Sequence, residues 1–143
     1  MFFPIFIDIK NFKVLVIGFG NIAYRRIKVL LEFGADIKVI TKQAKYKIDN
    51  IDVVIKEYTD SDITNEYNIV IAATDNKDVN KSIIEKAKQE NIMYYNNISD
   101  KSMSNFYFPA VITNEDIVCG IISQDGKNHK AAKEYSIKLK EIL

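Results

Sequence analysis

The feature that most constrains this chain is a glycine turn set between two stretches of different hydrophobic period. In Lys13–Ile17 one lysine is followed by a continuous apolar run that ends at Gly18. Unbroken apolarity predicts a strand covered on both faces, as in a parallel sheet. Residues 21–33 change to a helical period, and their apolar stripe consists of Ile22, Ile27, Leu30 and Leu31. A further strand at 36–41 completes a β-α-β unit.

The middle of the chain continues this alternation of strands and helices. Short apolar runs at 53–55, 68–73 and 92–95 predict three more strands. Between the last two, a helical stripe is formed by Val79, Ile83, Ile84 and Ala87. The expected fold class is therefore α/β, a Rossmann-type doubly wound parallel sheet.

The pattern changes after residue 105. Two extended runs at 106–112 and 116–123, joined by a polar turn, predict a hairpin outside the main sheet. A basic helix at about 127–142 follows, and one of its sides carries Ala132, Tyr135, Leu139 and Ile142. We therefore expect a nucleotide-binding domain at residues 1–105 and a hairpin-and-helix segment at residues 106–143.

Composition excludes several classes of function. The formal net charge is +1, from 20 Lys and Arg against 19 Asp and Glu, which argues against a dedicated nucleic-acid binder. No segment has the roughly 20 apolar residues of a membrane span. The single cysteine, Cys119, cannot form an intrachain disulfide or a Cys-rich zinc site. We expect a cytoplasmic protein that binds no membrane, and no metal ligands are assigned.

The glycine turn has the spacing of a dinucleotide site. Gly18-Phe19-Gly20-Asn21-Ile22-Ala23 matches G-x-G-x-x-G/A, with alanine in the last place. The first glycine permits a tight turn, the second lets a diphosphate lie against bare backbone, and the small last residue allows close packing of helix and strand. The free amides of the helix N-terminus then face the phosphates. A glycine turn kept only for packing is the alternative.

One expected feature of an NAD site is missing. An acidic residue about 20 residues beyond the turn usually binds the ribose hydroxyls. Here the second strand ends in Thr41 and Lys42. Thr41 is able to hydrogen-bond a ribose and Lys42 to attract a 2′-phosphate, so the residues alone leave NAD and NADP open.

Several segments together resemble a known family. They are the opening Phe-Pro-x-Phe-x-Asp stretch at 3–8, the glycine turn, the Ala-Ala-Thr-Asp strand end at 72–75 followed by Asn80, and the Phe-x-Phe-Pro-Ala motif at 106–110. The chain resembles, over nearly its whole length, the N-terminal module of siroheme synthase, the precorrin-2 dehydrogenase and sirohydrochlorin ferrochelatase family. That resemblance implies NAD as cofactor, because family members are similar in lacking the acid yet using NAD.

The resemblance also implies an activity and a set of binding residues. The implied reaction is the oxidation of precorrin-2 to sirohydrochlorin by loss of a hydride to NAD and of a proton, with iron insertion as a possible second activity. By position, the diphosphate is expected at Gly18, Gly20, Asn21 and Ile22. Thr41 is expected on the adenosine ribose side. The nicotinamide ribose is expected beside Ala73, Thr74 and Asp75.

The sequence departs from the family pattern at the expected acid. The family acid lies a few residues before the Phe-x-Phe-Pro motif, and counting back from Phe106 places Ser99 at that position, with Asp100 one residue later. Either Asp100 serves after a small loop shift, or the general acid/base is lost. Loss of such a group lowers a rate by a factor of about 10²–10⁴.

A second departure concerns the C-terminus. Family members continue into a small helical domain that helps cover the tetrapyrrole, and this chain stops after one helix. By resemblance we expect a homodimer that pairs through residues 106–123. The alternative to an active dehydrogenase is a degenerate NAD-binding scaffold or regulatory protein without turnover, which Ser99 and the short C-terminus favour.

Overall fold

The structure is a computed structural model that describes residues 1–143. The chain forms two compact units. The larger unit is Asp8–Phe106. The smaller unit combines Met1–Ile7 with Tyr107–Leu143.

The larger unit is built on a five-stranded parallel sheet. Its strands are β1 (Lys13–Ile17), β2 (Asp36–Thr41), β3 (Asp52–Ile55), β4 (Ile69–Ala72) and β5 (Tyr94–Asn97). Their order is β3-β2-β1-β4-β5, and all four pairings are parallel. The predicted Rossmann-type sheet is confirmed. Because the strand order reverses between β1 and β4, the carboxyl ends of these two strands form the switch point where such sheets bind ligands.

Two helices of this unit follow β1 and β4. Helix α1 (Asn21–Glu32) buries Ala23, Ile27 and Leu30. Ile22, which the sequence predicts on the buried stripe, is 40% exposed and lies in the first turn of α1. Helix α2 (Lys77–Gln89) buries its predicted apolar residues Ile83, Ile84 and Ala87, and with them one polar residue, Asn80.

The last strand of the sheet lies two residues later than its apolar pattern indicated. Ile92 is buried in the connection after α2, and β5 itself ends in two asparagines. Asn96 and Asn97 are only 4% and 2% exposed. Their side chains are hydrogen-bonded, so the strand accepts polar residues in the interior without leaving them unsatisfied.

The smaller unit contains an antiparallel hairpin and one helix. Strands β6 (Ala110–Thr113) and β7 (Val118–Ile121) pair with Ile112 opposite Cys119. The hairpin expected at 106–123 is confirmed, although Phe106–Pro109 is not strand. Helix α3 (His129–Ile142) buries Ser136, whereas Tyr135 and Ile142 on its predicted apolar side are 60% and 79% exposed. None of the three α-helices has the length and apolarity needed to cross a membrane.

Candidate functional site

An open cleft of ≈ 720 Å³ lies at the carboxyl edge of the parallel sheet. It is lined by the glycine turn and by the residues that follow β2, β3 and β4. The predicted site residues among them are Gly18, Gly20, Thr41, Thr74 and Asp75. All lining residues belong to the larger unit, so this unit alone forms the cleft.

Gly18 is required by the backbone and by its neighbour. Its φ is +100°, a conformation that side-chain-bearing residues rarely adopt. A Cβ at this position would lie 2.2 Å from the carbonyl oxygen of Ala73. The Gly18 N–H donates to the Ile40 carbonyl at 2.8 Å, which joins the turn to β2. Gly18 is therefore explained by packing at the β1–β4 crossing, and it brings Ala73 into the floor of the turn.

Neither the backbone conformation nor a packing neighbour requires a glycine at position 20, so Gly20 points to a ligand. Its φ of −83° suits any residue, and a Cβ built there meets nothing within 4 Å. Gly20 is the N-cap of α1, and no side chain caps this helix. The first helical hydrogen bond runs from the Tyr24 N–H to the Gly20 carbonyl. The N–H groups of the first turn, from Asn21 onward, thus keep their capacity to bind an anion.

The ends of β2 and β3 form the opposite rim of the cleft. Thr41 is 8% exposed, and its hydroxyl donates to the Gln43 carbonyl at 2.9 Å, within a tight turn. Lys42 pairs with Glu57 at 3.1 Å, and Lys56 pairs with Asp62 at 2.6 Å. Two of the cleft's lysines are therefore compensated by carboxylates.

Tyr58 adds a phenol to the same rim. Its hydroxyl donates to Asp60 at 3.0 Å. Burial, and then this hydrogen bond to a carboxylate, raise the pKa of Tyr58 well above its ordinary value. The phenol consequently stays protonated at physiological pH, as a hydrogen-bonding surface without charge.

The end of β4 is held by one buried amide. Asn80 is fully buried, and its Oδ1 accepts from the Thr74 N–H at 3.0 Å and from the Thr74 hydroxyl at 2.6 Å. Its Nδ2 donates to the Thr74 carbonyl and to the Ser99 hydroxyl, each at 3.0 Å. Asn80 therefore links the strand end that lines the cleft to the loop after β5.

The Ser99 hydroxyl both accepts and donates a hydrogen bond. Besides accepting from Asn80, the hydroxyl donates to Asn97 Oδ1 at 2.8 Å, and the Ser99 N–H donates to the same oxygen at 2.9 Å. The Asp100 N–H also donates to it, at 3.2 Å. Ser99 is thus a positioned hydroxyl next to the cleft and does not line it.

Asp100 serves the local backbone. Its carboxylate caps the short 3-10 turn Lys101–Met103, accepting from the Ser102 hydroxyl at 2.6 Å and from the Ser102 N–H at 3.0 Å. The Ser102 hydroxyl and then its amide lower the pKa of Asp100, with a smaller contribution from the charge of Lys77. The group is a carboxylate at neutral pH and lies outside the cleft lining.

Arg26 joins helix α1 to the far strand of the sheet. Its guanidinium donates to Asn96 Oδ1 at 2.5 Å, and the Asn96 amide donates to the Phe106 carbonyl at 2.9 Å. Burial, and then the charge of Arg25, lower the pKa of Arg26 to about 10, so it remains charged at neutral pH. This chain of contacts fixes the start of the Phe-x-Phe-Pro-Ala motif.

The sequence predicts the cleft residues of the glycine turn and of the ends of β2 and β4, but not those that follow β3. Of the predicted residues, Asn21, Ile22, Ala73, Ser99 and Asp100 do not line it. The rim residues from the β3 side were missed, because the weakly patterned segment 42–67 carries no motif. They are Lys56, Glu57 and Tyr58. Among the described residues, no three His, Cys, Asp or Glu side chains come together as a metal site.

The family of the chain follows from a match to its central segment. A family model described as "Putative NAD(P)-binding" matches residues 5–110. The chain belongs to this family. The open cradle at Gly20 and the uncapped helix behind it fit a dinucleotide diphosphate, and the expected nicotinamide-dinucleotide cofactor is confirmed at the level of NAD(P).

Curated relatives agree with the resemblance stated from the sequence. The chain is 37% identical over 147 residues to "Probable multifunctional siroheme biosynthesis protein HemA" of Ruminiclostridium josui, covering 98% of this chain and 28% of the relative. It is 32% identical over 128 residues to "Siroheme synthase" of Actinobacillus pleuropneumoniae, covering 85% of this chain and 26% of the relative. The chain thus spans about a quarter of the length of these relatives.

A solved structure has the same fold over nearly the whole chain. It is "SirC, precorrin-2 dehydrogenase", with a TM-score of 0.78 and 26% sequence identity, covering 99% of this chain and 71% of that one. The resemblance to the dehydrogenase module of siroheme synthase is therefore confirmed, including the hairpin and helix of the smaller unit.

Proposed function

We propose that the chain catalyses the NAD-dependent oxidation of precorrin-2 to sirohydrochlorin in siroheme biosynthesis. The observation that carries the proposal is the open, bare-backbone cradle at Gly20 in a chain whose fold matches a precorrin-2 dehydrogenase along 99% of its length. A cleft at the switch point of a parallel sheet is where such folds bind ligands.

In this proposal different residues of the cleft bind the diphosphate, the adenosine ribose and the nicotinamide end of the cofactor. Gly18, Gly20 and the first-turn amides of Asn21 and Ile22 bind the diphosphate through backbone N–H groups. Thr41 lies on the adenosine ribose side. To the nicotinamide side we assign Ala73, Thr74 and Asp75, of which Thr74 and Asp75 line the cleft. When bound there, NAD supplies the acceptor for the hydride that precorrin-2 loses.

The proton lost in the same oxidation needs a separate acceptor. We assign this role to Asp100, the carboxylate one residue beyond the position of the family acid, which is ionised at neutral pH and able to accept a proton. A carboxylate with a low pKa is a weak base, so the assistance it gives is modest. The Ser99 hydroxyl, held by Asn80 and Asn97, orients the loop that carries Asp100.

An anaerobic assay of NADH formation with precorrin-2 tests both assignments. We expect turnover by the wild type and a loss of about 10²-fold, the low end of the range for an acid/base group, in Asp100→Asn, with a smaller loss in Ser99→Ala. Unchanged turnover in Asp100→Asn would remove Asp100 from the mechanism. Adding ferrous iron to the product and following siroheme formation tests for ferrochelatase activity in the same preparation.

The second candidate is an NAD-binding scaffold or regulatory protein without turnover. The observation in its favour is that Asp100 is committed to capping a turn, while a serine occupies the position of the family acid. Intact NAD binding with no NADH formation by the wild type is the result that selects this candidate.

We also propose a cytoplasmic homodimer that pairs through residues 106–123. The exposed apolar residues of this segment support it, since Ile117, Val118 and Ile122 are 43%, 46% and 38% exposed. A two-stranded sheet also leaves both of its edges unpaired. The proposed functional division is an NAD-binding domain at 1–105 and a dimerisation segment at 106–143, while in the fold residues 1–7 group with the second of these. Light scattering on wild type and Val118→Asp tests the dimer, which the charged residue is expected to dissociate.

A further inference from the structure

The adenosine end of the cleft lacks the acid that usually binds the ribose. Strand β2 ends at Thr41, and Lys42 follows it. In dinucleotide-binding sheets an acidic residue near this point accepts hydrogen bonds from the ribose hydroxyls, and its charge disfavours the 2′-phosphate of NADP. The Thr41 hydroxyl is already engaged with the Gln43 carbonyl. A different group has to select the nucleotide.

The neighbouring strand places a carboxylate at the same edge. Strand β3 pairs in parallel with β2, with Ile55 opposite Thr41. The Lys56 N–H donates to the Thr41 carbonyl at 2.9 Å, which extends the pairing by one step. Glu57 therefore emerges beside the end of β2, and it lines the cleft together with Gly18 and Gly20.

The charges around Glu57 leave it open to a ligand. Its partner is Lys42, at 3.1 Å, and the two side chains are 78% and 74% exposed. Exposed ion pairs of this kind contribute little to stability, so a ligand is able to displace or rearrange this one. The next lysine, Lys56, is held by Asp62 and does not compete for Glu57.

We propose that Glu57 takes the place of the missing acid: its carboxylate accepts the hydroxyls of the adenosine ribose and excludes a 2′-phosphate, so that the chain selects NAD over NADP. This inference rests on the proposed NAD-dependent function. Lys42 positions the carboxylate through the ion pair. Lys45 lines the same rim without an acidic partner, and its positive charge favours both nucleotides.

Calorimetric titration of the wild type and Glu57→Gln with NAD and with NADP tests the proposal. We expect the wild type to prefer NAD, and Glu57→Gln to shift the ratio of the two dissociation constants toward NADP by about tenfold, because a repelling charge near a phosphate is removed. The shift in this ratio is expected to decrease as salt is added, since the Glu57 carboxylate is exposed to solvent and salt screens its charge.

Glu66→Gln is the matched control, because it makes the same change in net charge outside the cleft. Glu66 is exposed and pairs with Lys13 at 3.4 Å. Lys42→Ala gives the opposite sign: it frees the charge of Glu57 and is expected to weaken NADP further. Thermal melting checks that each variant is folded.

The outcomes separate this inference from the proposed function. NAD binding with the same NAD-to-NADP ratio in wild type and Glu57→Gln would overturn the role of Glu57 and leave the proposed function standing. An equal shift in Glu57→Gln and Glu66→Gln would show a general charge effect and overturn it as well. If the wild type binds neither nucleotide, both proposals fail.

Discussion

Two loops that follow strands of the parallel sheet, one after β1 and one after β5, satisfy their polar groups in opposite ways. The glycine turn after β1 leaves backbone N–H groups uncapped and open space at Gly20. In the loop after β5 nearly every polar side chain is already bonded, with Asn97 accepting from Ser99 and Asp100, and Asp100 accepting from Ser102. The first loop is built to receive a ligand, and the second is built to hold its own shape.

This difference separates binding from chemistry. An uncapped helix end gains free energy when an anion supplies the missing acceptors, so the glycine turn favours a bound diphosphate. A carboxylate that caps its own turn loses those hydrogen bonds when it is protonated, so Asp100 resists accepting a proton. The molecule is therefore better arranged to bind a cofactor than to transfer a proton.

Gly18→Ala is expected to have the largest effect on the molecule. A methyl group there meets the Ala73 carbonyl at 2.2 Å with φ at +100°, and we expect the free energy of unfolding to fall by at least about 3 kcal/mol. Urea denaturation measures the change. A loss below about 1 kcal/mol would mean that the turn relaxes easily and that Gly18 is not required by packing.

Asn80→Ala is expected to have the second largest effect on stability. It tests the hydrogen-bonded loop after β5, to which Asn80 is joined through Ser99. It removes a fully buried amide and leaves the partly buried Thr74 N–H without its acceptor, so we expect a loss of about 2–3 kcal/mol in the free energy of unfolding. Asn76→Ala is the control on the same helix, because this exposed N-cap is expected to lose only about 1 kcal/mol. Equal losses in the two variants would contradict the role given to the buried amide.

Gly20→Ala should change binding and spare the fold. The methyl group enters open space, so the free energy of unfolding is expected to change by less than about 1 kcal/mol. The same methyl group occupies the place of the diphosphate, and we expect the NAD dissociation constant to rise by about tenfold or more. Calorimetry with NAD measures it. Unaltered affinity in a folded variant would place the diphosphate elsewhere.

The sequence predicts the sheet and the glycine turn, but it does not predict the position of β5 or the place of Glu57 in the cleft. The unbroken apolar run of β1 and the spacing of Gly18 and Gly20 predict the sheet and the turn, because both depend on local backbone geometry. The polar strand β5 was placed two residues too early, because its asparagines are buried only through tertiary hydrogen bonds. Glu57 was missed for a similar reason: its place in the cleft depends on the pairing of β2 with β3.

Ser102→Ala has the smallest expected effect, and it tests why Asp100 stays ionised. Without the hydroxyl, the pKa of Asp100 rises toward its ordinary value, as an NMR titration of the carboxyl group measures. A lowered pKa in the folded state stabilises the fold above the ordinary aspartate pKa, and this stabilisation is lost as the pH falls through the lowered value. The variant should therefore lose less stability on acidification. Ser82→Ala, whose hydroxyl binds the Val79 carbonyl, should leave Asp100 unchanged.

An NMR titration of the backbone amides with NAD tests most directly whether the glycine turn binds the cofactor. We expect saturable shifts that are largest at Gly18, Gly20 and the first turn of α1, with smaller changes at Ser99 and Asp100. No shift at the glycine turn at saturating NAD, or shifts confined to the loop after β5, would contradict it.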